Sequence, residues 1–274
     1  MSANVTSMRD ALYEEPGPKT RRKIAVGTAA SAVLVVAAVA AIVNQFYVTG
    51  QLDARYWSFF LQWPTWNFLL SGFVGTVEVA VTAGVIALVL GLLLMLGRTS
   101  GIRPLEWLCH VVTDFFRGVP SLLLIYFFFL VVPQYGIRMP AFWMLTLPVG
   151  LAASGVLAEV FRAGVNAVPR GQVEAAYSIG LTRGKVLRLI VLPQAIHYVI
   201  PSLISQLVVV VKDTTVAYVV SYPDLMQNAR VLITSYDALV SVYLTIAVIY
   251  ILINYALNSA SKYVSRRMGV KIIR

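Results

Sequence analysis

The sequence predicts an all-α membrane protein with six transmembrane helices, and three observations carry that prediction. Of 274 residues, 59% are apolar and 12% are charged, about half the charged fraction of a soluble domain. Six stretches of spanning length contain almost no Asp, Glu, Lys or Arg: Ile24 to Val43, Phe68 to Leu96, Gly118 to Ile137, Met139 to Ala158, Leu189 to Val211 and Ala238 to Ser261. A helix needs about 20 apolar residues to cross the hydrocarbon. With the N-terminus in the cytoplasm and alternating spans, 18 of the 22 Lys and Arg fall inside, and only Arg55, Arg138, Lys212 and Arg230 fall outside. The positive-inside rule selects that orientation, so a multi-pass protein of the cell membrane with both termini cytoplasmic is expected.

The net charge of +10 is thereby explained by topology, and the basic residues lie between apolar runs rather than on one polar face. Nucleic acid is excluded as a partner, and the lipid bilayer takes its place. Cys109 is the single cysteine; it excludes an intramolecular disulfide framework and reads as a small apolar residue.

In chain order, residues 1–23 form a polar leader in which Pro16, Gly17 and Pro18 precede the basic cluster Arg21 to Lys23. It is expected to be disordered and held near anionic lipid. The run at 24–43 ends in Ala38-Val39-Ala40 and a little beyond, which also fits a signal-peptide cleavage site. The long leader with Asp10, Glu14 and Glu15 favours a retained anchor. Trp57, Trp63, Pro64 and Trp66 read as interfacial, so the second span is expected to start near Phe68. Residues 262–274 form a basic tail.

About 27 residues, Arg162 to Arg188, separate the fourth and fifth spans, and they carry helical grammar. Pro169 suits a helix start, Glu174 lies in an early turn, and Ala175 and Ala176 are strong helix formers. Gly180 is placed to end the helix in a left-handed turn, Thr182 can cap a second short helix, and Pro193 ends or kinks the chain after it. The segment reads as a docking element; a solvated amphipathic linker on lipid headgroups is the rival reading.

Few ionisable residues fall at membrane depth. Glu78, near Thr76 and Thr82, either lines a cavity or makes a hydrogen bond between helices. Lys212 and Asp213 end the fifth span, where they either snorkel or, with Thr214 and Thr215, help form an outer gate. His110 in a loop and His197 in the fifth span read as structural, and no metal-binding constellation exists.

The segment Glu174-Ala175-Ala176, with Gly180, Ile190, Leu192 and Pro193, fits the pattern E-A-A-x3-G-x9-I-x-L-P. In this it resembles the EAA loop of ATP-binding-cassette import permeases. Three further stretches resemble the branch of that family importing polar amino acids: Phe115 to Pro120, Ala158 to Arg162 leading to Pro169-Arg170-Gly171-Gln172, and Lys212 to Thr215. Val119, and Thr215-Val216, depart from the residues frequent there. The resemblance runs from Phe68 to the C-terminus. It implies that residues 68–261 form a five-helix type I ABC importer core with a cytoplasmic EAA coupling helix, to which 24–43 adds one N-terminal helix.

The resemblance further implies that Arg170, Glu174, Ala175, Ala176 and Gly180 couple the chain to a separate cytoplasmic ABC ATPase dimer. That partner would bind ATP and Mg, leaving this chain a transport subunit without a cofactor and not an enzyme. A second permease subunit, a related chain or itself, and an extracellular or periplasmic substrate-binding protein complete the implied assembly. Glu78, Lys212, Asp213 and Thr214 are the implied substrate path. The leader from Leu12 to Arg22 resembles that of glutamate-uptake permeases of high-GC Gram-positive bacteria, so glutamate is the expected substrate, with glutamine, aspartate or a basic amino acid as alternatives. The sequence contains no Walker-type phosphate loop, no His-Glu-x-x-His and no Gly-x-Ser-x-Gly. An ion-coupled carrier using Glu78 is the other class of reading, and the absence of an evident inverted repeat counts against it.

Overall fold

The computed structural model describes residues 17–267. The leader up to Pro16 and the tail beyond Arg267 lie outside the described residues. The chain divides after Tyr56 into two units. The first contains α1, Pro18–Val48, which is longer at both ends than the expected 24–43. Residues 18–23, expected as disordered leader, are therefore helical. Pro18 in the first turn lacks only an N–H that would be unpaired there, and no helix breaker occurs among Lys19 to Lys23.

The second unit opens with a short turn, Ser58–Leu61, and then α2, Trp63–Arg98. α2 begins before the expected Phe68 because Pro64 suits a first turn. Thr65 Oγ1 and Trp66 Nε1 also donate back to the carbonyls of Phe59 and Phe60 at 2.8 and 2.7 Å. α3, Arg103–Gly118, is an amphipathic helix, so His110, expected in a loop, is a helical residue. α4, Ser121–Tyr126, continues through a π turn and a 3-10 turn to Tyr135. α3 and its continuation meet at 98°. The third span is thus a bent pair rather than a straight Gly118–Ile137 helix. Pro120 disfavours helical backbone at Val119, which is extended at φ −85°, ψ 124°.

α5, Ala141–Ala167, runs nine residues past the expected end and takes Glu159 and Arg162 into the helix. α6, Arg170–Ser178, is followed by α7, Arg183–Val186, and a π turn, Leu187–Val191. α8, Leu192–Asp213, then leads into a 3-10 turn, Thr214–Val220. Pro193 sits in the first turn of α8, so it neither stops nor breaks the helical path. α9, Leu225–Tyr236, was not anticipated, and α10 spans Leu239–Arg267. Among the described residues five helices are long and apolar enough to cross a membrane, six if the bent pair is one span, and there is no strand.

In lipid, apolar burial does not drive helices together, so close dispersion contact between small residues must do so. α2 supplies it with Ala80, Ala83, Ala87 and Gly91, at spacings that share one helix face. These pack against Val149, Gly150, Ala153 and Leu157 of α5 in one buried cluster. A Cβ on Gly91 would lie 2.8 Å from Leu157 Cβ and 3.0 Å from the Ser154 carbonyl. α8 joins at Gly164, where a Cβ would lie 2.8 Å from the Ala195 carbonyl.

At the end of this bundle opposite the α5–α8 connection, α9 starts against α2. A Cβ on Gly72 would lie 2.8 Å from the Asp224 carbonyl, and one on Gly75 2.5 Å from that of Pro223. Thr76 Oγ1 accepts the Leu225 N–H at 3.1 Å, and Asn228 Nδ2 donates to the Phe68 carbonyl at 2.7 Å. Asp224 is fully buried. Its Oδ1 caps α9 by accepting the Gln227 N–H at 2.7 Å, while Oδ2 has no hydrogen-bond partner. Burial outweighs the capping bonds and pushes this carboxyl up to about 6.

This packing makes two outcomes measurable. Gly91→Leu is expected to cost about 1–3 kcal/mol or more, read as a lower melting temperature in detergent, whereas Val85→Leu on the exposed face leaves it unchanged. For Asp224 the folded state holds its proton to higher pH than the unfolded chain does. Stability therefore falls as pH rises from about 4 to about 6 and is flat above, by on the order of 3 kcal/mol. Asp224→Asn keeps the capping oxygen and removes the ionisation, so melting curves of that variant across the same range should lose the fall.

Candidate functional site

The residues selected from sequence gather in two regions, the first being the α5–α8 connection. Val168 and Pro169 are extended and turn the chain out of α5. α6 then closes with a full Schellman cap. Gly180, at φ +80°, donates its N–H to the Tyr177 carbonyl at 2.9 Å, and Leu181 donates to that of Ala176 at 3.2 Å. A Cβ on Gly180 would meet nothing within 4 Å, so the position demands the left-handed backbone rather than space. Thr182 occupies the cap position of α7, as expected, but its side chain makes no capping bond.

α6 is seated by Ala176, buried among Val168, Val186, Val191 and Ala195, with Val173 and Leu181 alongside. The reverse face presents Arg170, Glu174, Ala175, Tyr177 and Ile179, all exposed, with Ile179 at 78%. The alanine pair is therefore divided. Ala176 lets α6 lie close on the chain's own α5 and α8, and Ala175 belongs to the free face.

Beside this segment lies an ionic cluster that sequence reasoning did not assemble. Glu159, two turns from the end of α5, is bound by Arg98 of α2 and by Arg162, whose Nε donates at 2.8 Å. Arg117 of α3 lies 3.6 Å from Glu159 and 3.5 Å from Asp114, which is 3.5 Å from His110. The Glu159 and Arg98 side chains are only 20% and 13% exposed, so the charge-assisted bonds are partly shielded from water. Glu159 and Arg162 at i,i+3 were a visible signal; Arg98, 61 residues away, was not.

The second region lies within the spans. The α-helical part of the fifth span ends with Lys212 and Asp213, and a 3-10 turn carries the chain on to Val220. Lys212 is exposed on the single chain, and Asp213 faces Ser121 at the start of α4. Thr214 is fully buried, and its Oγ1 donates to the Val211 carbonyl at 2.8 Å. The Tyr250 hydroxyl of α10 approaches Thr76 and Thr214 without reaching hydrogen-bond geometry. Glu78 is exposed and accepts the Tyr222 hydroxyl at 3.2 Å, while the Tyr222 ring packs on Phe142 at 5.8 Å between centroids. Burial and the adjacent Glu78 carboxylate push the Tyr222 hydroxyl up to about 12, so it stays a donor. The structure gives Glu78 and Tyr222 one shared bond, and it gives Asp213 a separate partner. Tyr222 had no signal in the sequence, because its partner is 144 residues away.

Residues 87–270 match the family of binding-protein-dependent transport system inner membrane components. The chain is similar to the glutamate transport system permease protein GluD of Corynebacterium glutamicum, at 33% identity over 223 residues, 80% of this chain and 82% of that protein. It is also similar to the probable glutamine ABC transporter permease protein GlnM of Bacillus subtilis, at 33% identity over 74% of this chain and 94% of that one. Among solved structures, an amino acid ABC transporter with histidines superposes with a TM-score of 0.70 at 28% identity, over 73% of this chain and 94% of that chain. The inward-facing MetNI methionine transporter shares the fold, with a TM-score of 0.63 at 19% identity over 76% of this chain and 99% of that one. The chain therefore belongs to the family of binding-protein-dependent transport system inner membrane components, as a multi-pass permease subunit with the type I ABC importer fold.

Proposed function

We propose that this chain forms part of the membrane path of an ATP-driven importer of a polar amino acid, glutamate, in the cell membrane. α6 is the element that docks on a cytoplasmic ABC ATPase dimer. The observation that carries the reading is the free face of α6, where Arg170, Glu174, Ala175, Tyr177 and Ile179 stand outward on a helix held stiffly from behind. The Ile179 side chain would enter an apolar groove of the ATPase, and Glu174 and Arg170 would set the register by ion pairs. ATP and Mg would be bound by that partner. The concentration of basic residues at the α5–α8 connection supports a cytoplasmic position for it and for both termini.

The substrate path would use Lys212, Asp213, Thr214 and Glu78, since an ion at membrane depth is retained where it faces a cavity or a partner. An α-amino dicarboxylate offers carboxylates to the Lys212 ammonium and an ammonium to Asp213 or Glu78. One permease cannot enclose such a path alone, so a second copy or a related chain would complete it, and an extracellular binding protein would deliver the substrate. Similarity to GluD supports glutamate, and similarity to GlnM keeps glutamine as the rival.

Purification of the assembly and its reconstitution with the binding protein test this directly. Glutamate should stimulate ATP hydrolysis above glutamine, aspartate and arginine; stimulation by glutamine alone would replace the substrate, and absence of any bound ATPase would overturn the reading in favour of an ion-coupled carrier. Ile179→Asp should abolish co-purification of the ATPase with unchanged yield of this chain in the membrane. Lys212→Ala should lower glutamate uptake about tenfold or more, the worth of one charge-assisted bond, with assembly intact.

A further inference from the structure

We propose that Arg183 is a second coupling residue, seated in the α2–α3 turn, through which movement of α6 reaches the ends of α2, α3 and α5. The proposal rests on the coupling role of α6 given above. The α6–α7 segment touches the bundle in two ways. One is the apolar cluster around Ala176, which joins it to α5 and α8. Such contact is non-directional and resists separation better than sliding.

The other contact is directional. Arg183, the first residue of α7, donates from Nη2 to the Thr99 carbonyl at 3.0 Å, across 84 residues of sequence. The turn is shaped to receive it. Gly101 adopts φ +84°, and a Cβ there would lie 2.5 Å from Arg183 Nη1. Its N–H donates to Glu106 Oε1 of α3 at 2.6 Å, and Thr99 Oγ1 donates to the Met95 carbonyl of α2 at 3.1 Å. The accepting carbonyl is thus held from both helices. The preceding residue, Arg98, binds Glu159, which also binds Arg162 of α5 and lies 3.6 Å from Arg117 of α3. A pull on Thr99 is therefore a pull on a cluster that joins three helix ends. Arg183 is a positioning residue: it touches neither substrate nor ATPase in this assignment, and it acts through the turn.

The test uses the full importer in proteoliposomes, measuring glutamate uptake and ATP hydrolysis together. Arg183→Ala should keep the ATPase bound and its basal hydrolysis intact, while uptake per ATP falls about fivefold or more. Arg183→Lys, with a single-point donor, should recover part of it. Gly101→Ala should give the Arg183→Ala phenotype with Arg183 present, since the added methyl displaces the guanidinium. Unchanged uptake per ATP in both Arg183→Ala and Gly101→Ala would overturn the proposal. So would equal loss of uptake, hydrolysis and melting temperature, which marks a residue that only supports the fold. If Ile179→Asp abolishes ATPase binding while Arg183→Ala transports normally, this proposal alone fails; if Ile179→Asp leaves binding intact, the docking role of α6 fails first.

Discussion

Where Gly91 of α2 meets Leu157 of α5, the two backbones stand closer than any larger side chain at 91 would permit. That proximity sets the geometry further along both helices. Glu159 is two residues beyond Leu157, and Arg98 is seven beyond Gly91, so the approach that closes the core also delivers the carboxylate to the guanidinium. The pair is partly shielded from water, and Arg162 and Arg117 share the same anion. The small-residue face and the ionic cluster are thus one construction, in which dispersion sets the distance that electrostatics then uses.

That construction gives the α5–α8 connection something rigid to stand on. α6 alone is nine residues, too short to be stable as an isolated helix. Its Schellman cap, the cluster around Ala176 and the extended Val168-Pro169 link hold it as a fixed projection of α5 and α8. The free face can then carry exposed apolar groups such as Tyr177 and Ile179 without loss of local order.

The parts legible in sequence are those whose physics is local. Uncharged length marked the spans, Gly180 marked its own left-handed turn, and Pro169 marked the start of α6. α3 escaped because Arg103, Glu106, His110, Asp114 and Arg117 interrupt any uncharged run, although the same residues leave a polar stripe on a helix that buries Cys109 and Thr113. α9 escaped for similar reasons, even though Asp224 is an ordinary cap signal. α5 runs past the expected Ala158 because Glu159, which interrupts the uncharged run, is neutralised by Arg98 from another helix. Lys212 and Asp213 close α8 where charge marks the end of the uncharged run, whereas the 3-10 turn that follows them to Val220 carries no charge to announce it. Whether Ala175 or Ala176 faces inward depends on Val191 and Ala195, far along the chain, and no local rule decides it.

The π turn at Leu187–Val191 sets the rotational phase between the two halves of its helix. In a plain α-helix, residues five apart point about 140° away from each other, and Val186 and Val191 could not share a face. The widened i→i+5 turn absorbs one extra residue and brings both into the cluster that holds Ala176, with Ala195 one turn further. The seat of α6 therefore exists in one phase only. Rewinding that turn to ordinary α geometry would rotate α8 by roughly the 100° of one residue and dismantle the seat, so axial twist of α8 and attachment of α6 are a single degree of freedom.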